Sequence, residues 1–110
     1  MAKRFVRARP NNQRLEELRE RLDSGEVEAM EPFGRAMTRA LEKARYDPET
    51  DEAVWIEEDY CSPPLAMERA EVLDDYFEQI SIIEEHVEED AGWQRINDLP
   101  GLLEQILDEA

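Results

Sequence analysis

The sequence predicts an α+β fold, helix-rich, with about four helices and a small antiparallel β ribbon or sheet; an all-α arrangement is the alternative. Three observations carry the prediction. Apolar residues recur at spacings of three and four over several stretches, the period of a helix with one buried face. One segment, Ala53-Val54-Trp55-Ile56, is instead rich in β-branched and aromatic residues. The length, 110 residues, suits a single core. The chain then divides into an extended basic arm, residues 1–10, and one acidic helix-rich domain, residues 11–110.

Residues 1–10 read as extended because Pro10 opposes an early helix and biases the residue before it toward extended backbone. Asn11 or Asn12 caps a first helix running to about Leu22, with Leu15, Leu18 and Leu22 on one stripe. Ser24-Gly25 ends it. A second helix begins with Pro32 in its first turn and runs to about Ala44. Its buried stripe is Phe33, Met37, Ala40, Leu41 and Ala44, and Arg35, Arg39 and Lys43 repeat at four on another face.

Asp47-Pro48-Glu49-Thr50-Asp51-Glu52 is a turn, and the strand at 53–56 can pair across it with Ala44-Arg45-Tyr46. Two strands alone are marginal, so the ribbon must lie on helices or gain a third strand. A long helix starts near Pro64. Its stripe Ala66, Ala70, Leu73, Phe77, Ile80, Ile83, Val87 keeps helical spacing, while Ile80-Ser81-Ile82-Ile83 has the composition of a strand. The pattern predicts helix through Gln79 and leaves 80–87 open. Gly92 closes that element, and a last helix spans about 99–108 with Asp98 as its cap and Pro100 in its first turn.

Charge is the strongest global signal. The chain carries 13 basic and 29 acidic residues, a net of −16. Residues 1–46 hold eleven bases against eight acids; residues 47–110 hold only Arg69 and Arg95 against twenty-one acids. Such a surface repels nucleic acid and anionic membranes, so direct nucleic-acid binding is not expected. The basic arm, Arg4, Arg7, Arg9 and Arg14, reads as an unstructured tail, or as a strand that folds on a partner or back onto the acidic half.

Candidate chemistry is sparse. Asp47, Glu49, Asp51 and Glu58 match positions one, three, five and twelve of a calcium-binding loop, but Glu52 stands where its bend needs glycine, so a hairpin turn is expected. Cys61 and His86 are the only soft metal ligands, too few for structural zinc, and the glutamates around His86 read as a solvated face. No nucleophile signature accompanies Cys61 and His86, and Gly25, Gly34, Gly92 and Gly101 stand too far apart for a phosphate cradle. The chain is therefore expected to be no enzyme, with no cofactor and no resident metal.

The expected function is that of a cytoplasmic, non-enzymatic protein-binding module, an adaptor or regulator, acting through its acidic C-terminal half. The partner is another protein with a basic surface, and a homodimer joining basic arm to acidic face is a further possibility. The partner-binding residues are Glu71, Asp74, Asp75, Glu78, Glu84, Glu85, Glu88 and Glu89, with Trp93 as an aromatic anchor. Two alternatives stand beside it. Carboxylates along a helix can imitate DNA phosphates and block a basic DNA-binding protein, and the glutamates with His86 can bind a metal. No stretch is long and apolar enough to be read as a membrane span.

Overall fold

A computed structural model describes residues 2–59 and 65–104. The elements are β1 (Ala2–Pro10), α1 (Leu15–Asp23), α2 (Gly34–Lys43), β2 (Arg45–Asp47) and β3 (Glu52–Asp59). A helical passage follows, made of α3 (Ala66–Glu68), a π-helical stretch Arg69–Leu73 and α4 (Asp74–Tyr76), and then β4 (Phe77–Glu84) and α5 (Glu89–Arg95). The expected α+β class is observed, with a four-stranded antiparallel sheet in the order β2-β3-β1-β4. β1 lies between β3 and β4, which run parallel to each other and are joined by the helical passage, a split βαβ arrangement.

The expected arm is an interior strand of that sheet. β1 pairs with β3 from Ala2↔Asp59 to Ala8↔Ala53, and on its other side with β4 from Phe5↔Glu84 to Pro10↔Phe77. Side chains alternate across a strand, so Arg4, Val6 and Ala8 share a face with Glu57, Trp55 and Ala53, while Lys3, Phe5 and Arg7 share the other with Glu58, Ile56 and Val54. Phe5, Val6 and Ala8 are all buried, as both faces are covered. The cations of β1 meet the acidic half directly: Arg4 Nε donates to Asp59 Oδ2 at 2.8 Å, and Arg7 Nη1 donates to Asp47 at 3.1 Å and Glu52 at 3.2 Å.

The first face packs Val6, Ala53, Trp55 and Phe77 against Leu15, Leu18 and Leu22 of α1, Met37 and Leu41 of α2, and Val72, Leu73 and Tyr76 of the later helical passage. Trp55 is fully buried with its ring centroid 5.0 Å from that of Phe77. Removing one such aromatic from water is worth about 5 kcal/mol. The opposite face gathers Phe5, Val54, Ile56 and Ile96, with Val87, Trp93 and Leu99 packed against them.

Several boundaries move for physical reasons. Asn11 makes a turn before α1, its side chain accepting from the Gln13 N–H at 3.2 Å, and Ser24 and left-handed Gly25 (φ 84°) end the helix as expected. α2 starts at Gly34, two residues after Pro32. The expected ribbon is present, with Arg45↔Val54, Tyr46↔Ala53 and Asp47↔Glu52, so the acidic hexapeptide is a hairpin turn.

The helix predicted through Gln79 stops at Tyr76, and residues 77–84 are strand. The four-three spacing there is met by chance, since strand propensity and pairing with β1 decide the backbone. Gly92 does not close an element but sits inside α5. A Cβ at Gly92 would lie 2.7 Å from Ile56 Cδ1, so the glycine lets this helix approach β3 closely. Of the helix expected over 99–108, residues 102–104 are helical and 105–108 fall outside the described residues. No helix among the described residues is long and apolar enough to cross a membrane.

Candidate functional site

The two outer strands of the sheet end differently. Beside β2, the segment at 100–102 closes the edge: Gly101 bridges Arg45, the Tyr46 N–H donates to Pro100 O at 2.8 Å, and the Leu102 N–H donates to Ala44 O at 2.8 Å. No strand among the described residues pairs with the outer edge of β4. A free edge presents backbone donors and acceptors that another strand can take up.

β4 is irregular in a way that shapes this edge. Its pairing with β1 slips between Phe5 and Val6 and again between Arg7 and Arg9. Two bulges result, one at Ile83 and one near Gln79, which adopts a left-handed φ of 52°. Bulges re-aim side chains, and here Ile83 is 46% exposed. Ile80 and Ile82, by contrast, are partly buried against the core.

The acidic residues expected to form one surface are dispersed around this strand. Glu71, Asp74 and Asp75 precede it on the helical passage, Glu78 and Glu84 lie on it, Glu85 follows it, and Glu88 and Glu89 open α5. Several are engaged within the chain. Asp74 pairs with Arg69 at 3.1 Å, Asp75 with Arg21 at 4.0 Å, Glu84 with Arg95 at 2.8 Å, and Glu89 with Lys3 at 3.8 Å. Glu88 caps α5 by accepting from the Ala91 N–H at 2.7 Å. Glu71, Glu78 and Glu85 are exposed, and their carboxylates meet no cation among the described residues. These three are what remains of the predicted face: Glu78 on β4, Glu85 just after it, and Glu71 on the helical passage before it.

The remaining predicted residues are placed elsewhere. Trp93 is half-buried beneath the Lys43 ammonium, 4.4 Å from its ring centroid, and is not part of the acidic edge. Of the basic arm, Arg4 and Arg7 are ion-paired as described above. Arg14 pairs with Glu17 at 2.7 Å and sits over the Tyr76 ring, and Arg9 is exposed opposite Glu78. The carboxylates from Glu68 to Asp90 run over helix, strand, turn and a second helix, so the single helical ladder that DNA imitation assumed is not formed. His86 is exposed, and no group of three His, Cys, Asp or Glu among the described residues is placed to hold a metal. Cys61 lies outside the described residues.

The sequence reading missed a buried carboxyl pair. Glu57 and Glu68 are both fully buried. Trp55 Nε1–H donates to Glu57 Oε1 at 3.1 Å, while Glu57 Oε2 and both carboxyl oxygens of Glu68 have no hydrogen-bond partner. Burial pushes the Glu57 carboxyl up to about 8; the Trp55 N–H opposes that rise, and the nearby Glu68, Asp59 and Glu58 charges add to it. Glu57 is therefore protonated at neutral pH.

The surroundings of the pair are strained. Leu65 holds a left-handed φ of 61°, its N–H donates to Asp59 Oδ1 at 3.1 Å, and the π-helical stretch begins directly after Glu68. A signal was available in the alternation Trp55-x-Glu57-x-Asp59, which puts both acids on the face of the buried tryptophan once the strand is extended past Ile56. Enclosed as it is, the pair bears on stability and not on a substrate.

Comparison with protein-family models, with characterised proteins and with solved structures finds no match to this chain.

Proposed function

We propose that the chain is a non-catalytic binding module that takes up a cationic, extended segment of another protein along the outer edge of β4. One observation carries the reading: the open edge strand bears Ile83, 46% exposed, with the exposed carboxylates Glu78 on the same strand and Glu85 just after it. Backbone pairing at such an edge supplies affinity, alternate side chains supply selectivity, and the carboxylates favour Lys and Arg. A second copy of the same edge is the poorer occupant, because Glu78, Glu84 and Glu85 would then crowd against their own duplicates.

The test uses a synthetic peptide alternating valine and arginine, titrated into the whole chain while backbone amide resonances are followed. Shifts should concentrate at 79–84, and binding should weaken at least about tenfold between about 50 and 500 mM salt. Ile83→Glu should weaken it further, and a valine–glutamate peptide should not bind. Shifts spread elsewhere, or affinity indifferent to salt and to Ile83, would refute the proposal.

A further inference from the structure

A second surface, on the far side of the sheet order from β4, carries a separate inference. Along β3, β2 covers residues 52–54, and beyond it a cleft of about 310 Å³ opens over Ile56 and Glu58. α2 lines it with Arg39 and Lys43, and α5 lines it with Glu89, Asp90 and Trp93. The volume is at the small end for pockets that hold metabolite-sized molecules.

This cleft is lined by charges of both signs that are unpaired among the described residues. Of the 13 bases, Lys3, Arg4, Arg7, Arg14, Arg19, Arg21, Arg69 and Arg95 form ion pairs, while Arg9, Arg35 and Arg45, like the two α2 cations of this cleft, form none among the described residues. Arg39 and Lys43, one helical turn apart, meet no carboxylate among the described residues, although both line a cleft with Glu89 and Asp90. Asp90 is likewise in no ion pair among the described residues. Lys3 occupies the remaining acids, at 3.2 Å from Glu58 and 3.8 Å from Glu89. Complementary charges therefore share a gap without closing it. The Lys43 ammonium rests instead on the Trp93 ring, where it is held close at little cost in hydration.

We infer that this cleft binds a small amphoteric ligand, one carrying an anionic group for Arg39 and Lys43 and an ammonium for Asp90. A simple anion satisfies the α2 wall and is repelled by Asp90 and Glu89; a simple cation meets the reverse. Only a molecule with both ends satisfies the two walls at once, and this requirement is the source of selectivity. Guanidinium and ammonium together suit a phosphate or carboxylate. The inference is independent of the β4 edge, which lies beyond β3 and β1.

Phosphoethanolamine is the probe, with inorganic phosphate and ethylamine as its two halves. Trp55 is fully buried, so a change in tryptophan fluorescence on titration reports the half-buried Trp93. Saturable binding of phosphoethanolamine should be at least about tenfold tighter than that of either half. The exposed pair Arg39→Gln and Lys43→Gln together should abolish it, and Asp90→Asn should weaken it about tenfold while leaving phosphate binding no weaker. Absence of saturable binding, equal affinity for phosphate alone, or binding indifferent to these substitutions would overturn the inference.

Discussion

Glu57→Gln should make the protein more stable at neutral pH, and the gain should vanish in acid. In the unfolded chain this carboxyl ionises near 4.5, whereas in the folded chain it holds its proton to about 8. Below 4.5 the group is protonated in both states and contributes nothing. As the pH rises from 4.5 toward 8, the unfolded state alone loses the proton, so folding becomes less favourable by about 1.4 kcal/mol per pH unit. At about pH 7 the accumulated loss is about 3 kcal/mol, and above the folded value it stops growing. Glutamine keeps the shape and the acceptor for Trp55 Nε1–H but cannot ionise.

Wild type and variant should therefore unfold at similar temperatures near pH 4.5 and diverge by about 10 °C at about pH 7. Thermal unfolding followed by circular dichroism across this range measures the difference directly. The other titrating groups cancel in it, including Asp47 and Glu17, whose carboxyls lie below their ordinary values. For Asp47, burial works against that lowering and the Arg7 hydrogen bond outweighs it; for Glu17, hydrogen bonds from Tyr76 and Arg14 produce it. Parallel curves for wild type and variant would show that Glu57 is not the neutral buried acid inferred from its surroundings.

Three further substitutions probe how the fold is held. Gly34→Ala places a Cβ 2.3 Å from Val27 O and 2.6 Å from Glu28 O, both backbone atoms, and should cost about 2–3 kcal/mol in urea unfolding. Arg4→Met removes the guanidinium at 2.8 Å from buried Asp59 and should cost about 2 kcal/mol in the same urea unfolding. Tyr76→Phe deletes a hydroxyl that donates to Glu17 Oε2 at 2.6 Å and accepts from Arg21 Nη1 at 3.1 Å, and should lower stability by about 1 kcal/mol without altering the far-UV spectrum.

What the sequence disclosed was whatever local chemistry decides. The Leu15, Leu18, Leu22 stripe, the Ser24-Gly25 stop and the hairpin around Asp47–Glu52 were readable because capping, turn preference and periodicity act over a few residues. The place of β1 was not, since nothing within residues 2–10 distinguishes a solvated basic strand from one drawn between two acidic ones. The stretch 77–84 misled because its isoleucines fit two periods, and only pairing with β1 selects one. Gly92 read as a stop because its actual use, the close approach of α5 to Ile56, is a long-range fact. The predicted acidic surface shrank for the same reason: which carboxylates are left free depends on where Arg21, Arg69, Arg95 and Lys3 come to rest.

The central position of β1 also sets the order in which this chain can acquire its structure. β1 leaves the ribosome before both its neighbours and meets them only when residues 53–59 and 77–84 have been made, so the sheet cannot assemble strand by strand in chain order. The β2–β3 hairpin is local and can form early, but the full sheet closes only in a late, cooperative step, and folding should be slow for a protein of this size. A nascent chain halted before residue 77 would expose one flank of β1 to any other strand at hand.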